Sequence, residues 1–351
     1  MANTLSPDVR LRVIHALCEG TSINATARQT GASKNAILRL LPRVGEGAAR
    51  IHNRLVRGVS AAQIQCDEIW SYVGKKERRV TAADPPGIGE AYTFIAIDVT
   101  TRLILSYLVG RRDNASTDIF IADLRARLSV MPQIVTDGFT PYVDAILGSF
   151  GASVNFAMVH KNYSAKPRRD DDHRYEPARG AFLTKKAVSG APDMDRATTV
   201  HIESQNFTVR TLVHRMARLT QGYSKKPENH RAALALHFLY YNAVRIHGSL
   251  RTTPFVAAGL AERPWTPSEM IEACLAEPEA EPPKPAQLAL PNGYGGAARE
   301  LPNGKGWLRV VPPPGAAPGL IKAPAPKPEI EVKLAAVPRE PEQLSLFPEV
   351  P

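Results

Sequence analysis

The sequence predicts an α/β domain, preceded by a small all-helical domain and followed by a proline-rich tail. Three observations lead to this prediction. The apolar pattern has a helical period from residue 6 to 41 and changes to a strand period at about residue 63. Strand and helix patterns then alternate as far as residue 159, the order typical of an α/β sheet. From residue 276 onward the chain holds 17 of its 30 prolines, a composition typical of segments that lack a packed core, and we predict a disordered tail over residues 276–351.

The charge and the cysteines narrow the class of protein. The first 275 residues contain 36 Lys and Arg against 25 Asp and Glu, which favours a phosphate-rich partner such as nucleic acid. Cys18, Cys66 and Cys274 lie far apart without a Cys-x-x-Cys spacing, which argues against a disulfide framework or a zinc ribbon. No apolar run approaches the length of a membrane span, and no signal-peptide pattern is present. We therefore expect a soluble cytoplasmic protein with no membrane contact.

Three short helical patterns occupy residues 5–42. Capping serines precede them, and they end at Gly20, at Gly31 and before Pro42. The pattern helix, glycine turn, helix predicts a DNA-binding helix-turn-helix domain, whose last helix offers Lys34, Asn35 and Arg39 to a DNA groove. An ordinary three-helix cap fits the same pattern, and the basic charge favours DNA.

The remaining elements follow in chain order. The glycine-containing residues 43–62 predict a linker, and residues 63–265 predict the α/β domain. Its strands are expected at 63–73, 92–99, 102–109, 132–138 and 152–159, and its first helices at about 114–128 and 140–150. The fourth strand is expected to run parallel to the first. Residues 160–198, rich in mixed charge, predict a basic surface insertion, and two long helices follow it.

The first strand raises a question of charge. The segment IQCDEIWSYV, residues 64–73, places Asp67 and Glu68 inside an apolar strand, although ionised carboxylates are costly to bury without a compensating partner. Strand alternation puts the two acids on opposite faces, so the period alone does not decide which of them is functional.

A divalent cation would compensate such acids, and the chain offers further carboxylates for it. Asp137 ends a strand of the predicted sheet, where parallel α/β sheets place functional groups, and Glu203 lies near the start of a helix. If that helix packs across the sheet, Asp67, Asp137 and Glu203 converge and could hold two Mg²⁺ ions. Arg210 follows Glu203 by two helical turns and is expected to contact a phosphate.

Four segments carry a resemblance to a known family. They are CDEIWSYVGKK (66–76), VTDGFTPY (135–142), HIESQNFTVR (201–210) and YYNAVRIHGSLRTTP (240–254). In this order they resemble transposases of small bacterial insertion sequences, most closely the insertion-sequence-one type. The resemblance spans about residues 5–265 and implies an RNase H-like catalytic domain, with Asp67, Asp137 and Glu203 as DDE metal ligands and Arg210 as the basic residue that follows. In the last segment, no chemistry is assigned to Tyr241, Asn242, Arg245 and His247; packing and phosphate contact both stay open.

The resemblance implies an activity and partners. We expect DNA strand cleavage and strand transfer that depend on two Mg²⁺ or Mn²⁺ ions, terminal inverted repeats and target DNA as partners, a homo-oligomer, and a place at the bacterial nucleoid. Two alternatives stay open at this point. One is an RNase H-like nuclease or resolvase, and the other is a helix-turn-helix regulator that does not cleave DNA.

The tail contains one further motif. Gln343-Leu344-Ser345-Leu346-Phe347 resembles the pentapeptide by which bacterial proteins bind the replication sliding clamp. Gln343 could hydrogen-bond at the rim of a pocket, and Leu344, Leu346 and Phe347 could fill apolar clefts. A chance apolar run in a biased segment fits the same residues.

Overall fold

Seven strands form one mixed sheet in the computed structural model, which describes residues 5–163, 181–218, 220–276 and 330–332. In chain order they are β1 (Gln63–Val73), β2 (Gly89–Asp98), β3 (Ile104–Gly110), β4 (Gln133–Thr136), β5 (Asn155–Tyr163), β6 (Ala181–Ser189) and β7 (Ile330–Val332). Across the sheet the order is β3-β2-β1-β4-β5-β6-β7. The first three strands form an antiparallel meander, whereas β1, β4 and β5 are parallel. The predicted mixed sheet is therefore confirmed, including the parallel pairing of the fourth strand with the first.

Nine helices surround the sheet in the described part of the chain. They are α1 (Pro7–Cys18), α2 (Ile23–Thr30), α3 (Lys34–Leu55), α4 (Asn114–Arg127), α5 (Pro141–Phe150), α6 (Val200–Leu212), α7 (Pro227–Ala243), α8 (Pro254–Ala257) and α9 (Pro267–Leu275). The side chains of Ser6, Ser22 and Ser33 cap the first three helices, as the sequence predicts. None of the helices in this part of the chain is long and apolar enough to span a membrane.

Strand alternation fills the two faces of the sheet with separate apolar clusters. Phe94 of β2 packs on one face with the helices α4 and α5, and Ile95, the next residue, packs on the other face with α6 and α7. The first cluster also contains Ile14 of α1 and Ile37 of α3. The predicted helical domain at residues 5–42 therefore shares its core with the sheet.

The third helix corrects the predicted linker. It was expected to end before Pro42, but α3 continues through Pro42 to Leu55, so the linker prediction is wrong for residues 43–55. The glycines that suggested a linker are packing contacts. A Cβ at Gly45 would clash with Ala232 in α7, and a Cβ at Gly47 would clash with the Cys274 carbonyl in α9. Burial of the apolar face of α3 outweighs the one hydrogen bond that Pro42 cannot donate.

The predicted insertion at 160–198 is also corrected where the structure describes it. β5 extends to Tyr163 and β6 begins at Ala181, so the described residues on both sides continue the sheet, and residues 164–180 lie outside the described part. In the tail, the short strand Ile330–Val332 pairs with β6. Residues 277–329 and 333–351, with the motif of Gln343, Leu344, Leu346 and Phe347, lie outside the described residues.

Candidate metal centre and cleft

The register of two parallel strands brings the predicted acids together. β1 pairs with β4 from Gln63 to Cys66, where Cys66 lies opposite Thr136. β4 ends there, and β1 continues. Asp67 is the next residue of β1 and Asp137 is the first residue after β4, so the register places them side by side at the carboxyl end of β4.

Three carboxylates meet at this point. One ligand oxygen from each of Asp67, Glu68 and Asp137 lies within 4.8 Å of the others. Oxygen donors from several carboxylates are what Mg²⁺ and Mn²⁺ prefer, so the donor set fits either cation. Glu68, which alternation assigned to the opposite face, is thus part of the cluster.

Asp67 has two hydrogen-bond donors and a perturbed pKa. The side-chain amide of Asn206 donates to Asp67 Oδ2 at 2.7 Å, and the Glu68 main-chain N–H donates to Oδ1 at 2.8 Å. Burial, followed by the negative charges of Asp137 and Glu68, raises the pKa of Asp67 to about 7. A cation bound among these acids would favour the ionised form of Asp67. The side chains alone do not compensate the negative charge of the cluster.

Glu68 has a basic partner, as expected for an acid in an apolar strand. Its side chain is only 2% exposed; Arg112 Nε donates to Oε1 at 2.6 Å and the Tyr142 hydroxyl donates to Oε2 at 3.0 Å. Burial and the charge of Asp137 raise the pKa of Glu68, and these two donors oppose that rise. Arg112 also lies 3.9 Å from Asp137 Oδ2 and stacks over the ring of Phe139.

A buried glutamine positions the helix above the acids. Gln65 Oε1 accepts hydrogen bonds from the main-chain N–H groups of His201 and Ile202, at 2.9 and 3.0 Å, and so fixes the start of α6 over β1. Glu203 and Asn206, three residues apart, then lie on the helix face that borders the cleft.

Glu203 borders the cleft but stands apart from the carboxylate cluster. Its Oε2 accepts from Lys161 Nζ at 2.6 Å and its Oε1 from the Thr199 hydroxyl at 2.5 Å. Of the predicted triad, the described structure groups Asp67 and Asp137 within ligand distance and gives Glu68 as the third member. In this arrangement the ammonium group of Lys161 supplies the positive charge next to Glu203.

Arg210 is placed on the same helix face, two turns after Glu203. Its guanidinium donates to the main-chain carbonyls of Met216, at 3.0 Å, and Trp70, at 3.3 Å. The Trp70 carbonyl belongs to the part of β1 that extends past β4, so Arg210 ties α6 to this strand. The predicted contact of Arg210 with a phosphate stays a prediction.

One open cleft of about 1260 Å³ contains the charged groups of the centre; it is lined by Asp67, Glu68, Asp137, Glu203, Arg112, Lys161 and Arg210, together with Asn206. Arg112, Lys161, Arg210 and Arg218 give it positive walls around the acidic centre. Phe207, which is 72% exposed, lies at its edge. The cleft therefore combines acids that suit a metal with cations that suit a phosphate.

Four residues have roles in the centre that the sequence did not predict. Gln65 and Asn206 are neutral, Lys161 lies in a segment predicted to be a surface insertion, and Arg112 is one of two arginines that follow β3. Gln65 lies two residues before Asp67, on the same strand face, and a polar residue in that position is the signal that could have drawn attention to it.

The predicted DNA-contact residues of the helical segment are exposed. Gly31, in the left-handed conformation, ends α2, and Ser33 caps α3 two residues later, so a tight turn joins the helices. Lys34, Asn35 and Arg39 lie on the exposed face of α3.

Comparison with known proteins gives distant structural likenesses only. No protein-family model matches the chain, and no curated protein matches it. Among solved structures, a piggyBac transposase in a synaptic complex with hairpin DNA aligns over 77% of this chain and 69% of that chain, at 10% identity and a TM-score of 0.33.

Proposed function

We propose that the chain is a DNA transposase that cleaves and joins DNA strands with the help of Mg²⁺ or Mn²⁺. The observation that carries the proposal is the cluster of Asp67, Glu68 and Asp137 within 4.8 Å, at the carboxyl end of β4 and inside a cleft with positive walls. The strand order β3-β2-β1-β4-β5, with an antiparallel meander followed by parallel strands, supports assignment to the RNase H-like fold.

Asp67, Asp137 and Glu203 are the metal ligands in this proposal. Two divalent cations bound to them would activate the attacking oxygen and stabilise the leaving oxygen of a phosphodiester. Asn206 orients Asp67, and Gln65 fixes the helix that carries Glu203. Glu68 keeps the guanidinium of Arg112 beside Asp137, where it can contact a phosphate oxygen.

Two reaction steps follow from the resemblance and this geometry. In the first, water attacks the phosphorus atom at the end of the element, the bond to the 3′-oxygen breaks, and a 3′-hydroxyl and a 5′-phosphate form. In the second, that 3′-hydroxyl attacks a phosphodiester of target DNA, and the 3′-oxygen of the target leaves. Both steps use one type of centre because each displaces one oxygen at phosphorus by another.

The remaining parts of the chain have proposed roles in binding. The exposed Lys34, Asn35 and Arg39 on α3 are proposed to read the terminal inverted repeats in the major groove. Two DNA ends must be held together, so a homo-oligomer is proposed. Residues 343–347 are proposed to bind the sliding clamp, and the nucleoid of a bacterial cytoplasm is the proposed location.

Cleavage of a supercoiled plasmid that carries the DNA flanking the gene tests the proposal. The wild-type chain should nick it with Mg²⁺ or Mn²⁺ and fail to do so in EDTA. Asp137→Ala should bind the same DNA and not cleave it, whereas Asp144→Ala, at an exposed position of α5, should cleave at the wild-type rate. Cleavage retained by Asp137→Ala would overturn the assignment of the centre.

A second assay separates transposition from simple hydrolysis. A duplex with the terminal sequence and a free 3′-hydroxyl is incubated with plasmid, and joined products are sought. Joined products support strand transfer. Cleavage without joining identifies a nuclease or resolvase, and binding without cleavage in any divalent metal identifies a regulator.

A further inference from the structure

A second concave site lies on the opposite flank of α6 from the cleft. It has a volume of about 280 Å³, and three segments build it: α6, the turn between β2 and β3, and the loop that follows α7. Arg102, His201, Arg245 and His247 line it and define what we call the α6 basic pocket. Arg245 and His247 belong to the segment for which the sequence left packing and phosphate contact open.

The α6 basic pocket has donors and cations but no acid. None of the residues found to line it is Asp or Glu, and the hydroxyl of Ser204 adds a further donor. The hydroxyl of Thr208 is engaged with the Ser204 carbonyl, and that of Ser249 lies 3.1 Å from His247 Nδ1. Asp98, in the adjoining turn, is 1% exposed, and its oxygens accept hydrogen bonds from Thr100 and Thr101. No ion pair joins Asp98 to a cation of the pocket among the described residues.

Two enclosed donors in the pocket lack an acceptor among the described residues. They are Arg102 Nη1 and Gln205 Nε2, and Gln205 is only 3% exposed. Buried donors are nearly always paired, so an unpaired amide and an unpaired guanidinium N–H on two residues of one concave site favour binding of an oxygen acceptor there. Burial and then the charges of Arg102 and Arg245 lower the pKa of His247, consistent with a site of positive potential.

The backbone at Arg102 is held in an unfavourable conformation. Its φ is +59°, a region that glycine adopts freely but that L-residues other than Asn and Asp rarely adopt. The carboxylate of Asp98 fixes this turn, and the Arg102 N–H donates to the Asp98 carbonyl at 3.0 Å. A glycine would adopt this backbone conformation without strain, so the position can be substituted without breaking the turn.

We propose that the α6 basic pocket binds a backbone phosphate of the DNA strand whose reacting phosphodiester lies in the cleft. This rests on the proposed function. The two sites flank one helix, because Glu203, Asn206 and Phe207 face the cleft and His201, Ser204 and Gln205 face the pocket. A helix with its side chains is about 10–12 Å across, close to the rise of three nucleotides at about 3.4 Å each. A strand that crosses the exposed ridge of α6 would thus present a neighbouring phosphate to the pocket.

Two glycine substitutions offer a matched test. Arg102→Gly removes the charge and also relieves the backbone at φ +59°, so the variant should fold. Arg251→Gly is the control, since Arg251 is exposed, has φ +58°, lies in the loop after α7 and does not line the pocket. Arg245→Ala removes the second, exposed guanidinium.

DNA binding is measured by fluorescence anisotropy with a labelled duplex of about 30 base pairs, over a series of salt concentrations. Every chain in the assay also carries Asp137→Ala, which prevents cleavage during the measurement. Loss of one phosphate contact should weaken binding about tenfold and reduce the slope of log K against log salt by about 1. We expect this for Arg102→Gly and Arg245→Ala and not for Arg251→Gly. An unchanged slope in the first two variants, or an equal loss in the control, would overturn the proposal.

Inorganic phosphate provides a second probe of the same site. It should shift the ring proton NMR signals of His201 and His247 in the wild-type chain but not in Arg102→Gly. If phosphate shifts the rings while the variants bind DNA normally, the pocket holds free phosphate and the DNA proposal is overturned. The proposed function is tested separately, by metal-dependent cleavage. If the wild-type chain does not cleave DNA with Mg²⁺ or Mn²⁺, the proposed function fails, whatever slopes of log K against log salt are measured.

Discussion

Replacement of Asp67 by asparagine should stabilise the metal-free protein while abolishing cleavage. Asp67 is held next to Glu68 and Asp137, and burial with these charges raises its pKa to about 7 from the ordinary 3.8. The folded chain therefore binds a proton more tightly than the unfolded chain, so its stability falls as pH rises from about 3.8 to 7. An asparagine side chain cannot ionise, so the variant does not undergo this loss.

The expected gain follows from the two pKa values. At about 1.36 kcal/mol per pKa unit, the ionised Asp67 destabilises the folded chain by at most about 4 kcal/mol above pH 7. An asparagine keeps an acceptor for the Glu68 N–H but loses the one that Asn206 uses, which costs about 1 kcal/mol. We expect a net gain of about 3 kcal/mol at pH 7.5, or about 6–12 °C in Tm.

Urea unfolding in EDTA at several pH values measures this gain. The advantage of Asp67→Asn should be absent below pH 3.8 and should grow by up to about 1.4 kcal/mol per pH unit towards pH 7. Saturating Mg²⁺ should stabilise the wild-type chain and reduce the difference, since the variant lacks one ligand. Asp144→Asn, at an exposed carboxylate, should change stability by less than about 0.5 kcal/mol at any pH. A variant less stable than wild type in EDTA at pH 7.5, or a gain independent of pH, would refute the reasoning.

Three further predictions concern the supports of the centre and of the helices around it. Arg112→Ala leaves Glu68 buried beside one neutral donor, so the free energy of unfolding, measured in urea, should fall by about 1–3 kcal/mol. The loss is smaller than for a fully buried pair because Arg112 is 39% exposed. Adding Glu68→Gln to the Arg112→Ala chain should recover most of this loss. Gln65→Leu leaves two main-chain N–H groups at the start of α6 unpaired, so Tm should fall by the equivalent of about 1–3 kcal/mol and cleavage should slow. Gly47→Ala should destabilise by a similar amount because its Cβ would meet a carbonyl of α9, whereas Gly148→Ala, with open space around it in α5, should raise Tm slightly.

Strand positions could be predicted from the sequence because each strand carries its own apolar pattern. The change of period near residue 63 is confirmed, and the strands expected at 92–99 and 102–109 are observed as β2 and β3, joined by a turn in which Asp98 accepts from Thr100 and Thr101. The error in α3 has a different origin. Pro42 and two glycines favour a break locally, and only the surfaces of α7 and α9, far along the chain, turn those glycines into contacts.

The partners of the acids could not be predicted for a related reason. Arg112 reaches Glu68 across 44 residues and Asn206 reaches Asp67 across 139, so neither spacing leaves a local pattern. The acids themselves stood out because a charge within an apolar strand is unusual on its own. The sequence thus showed which carboxylates need a counter-charge or a hydrogen-bond donor, and only the fold shows which residues provide them.

The pairing of Asp67 and Glu68 depends on where one strand ends. Alternation points adjacent side chains to opposite faces of a strand, so Asp67 and Glu68 can reach a common point only past the edge of the strand, where no neighbouring strand lies between them. β4 stops at Thr136, opposite Cys66, so on that side no strand lies beside Asp67 and Glu68 among the described residues. Both carboxylates can then turn toward Asp137, which begins the loop after β4, and their oxygens come within 4.8 Å. The same strand end that opens the site to a metal therefore makes Glu68 a member of it, with Arg112 supplying its counter-charge.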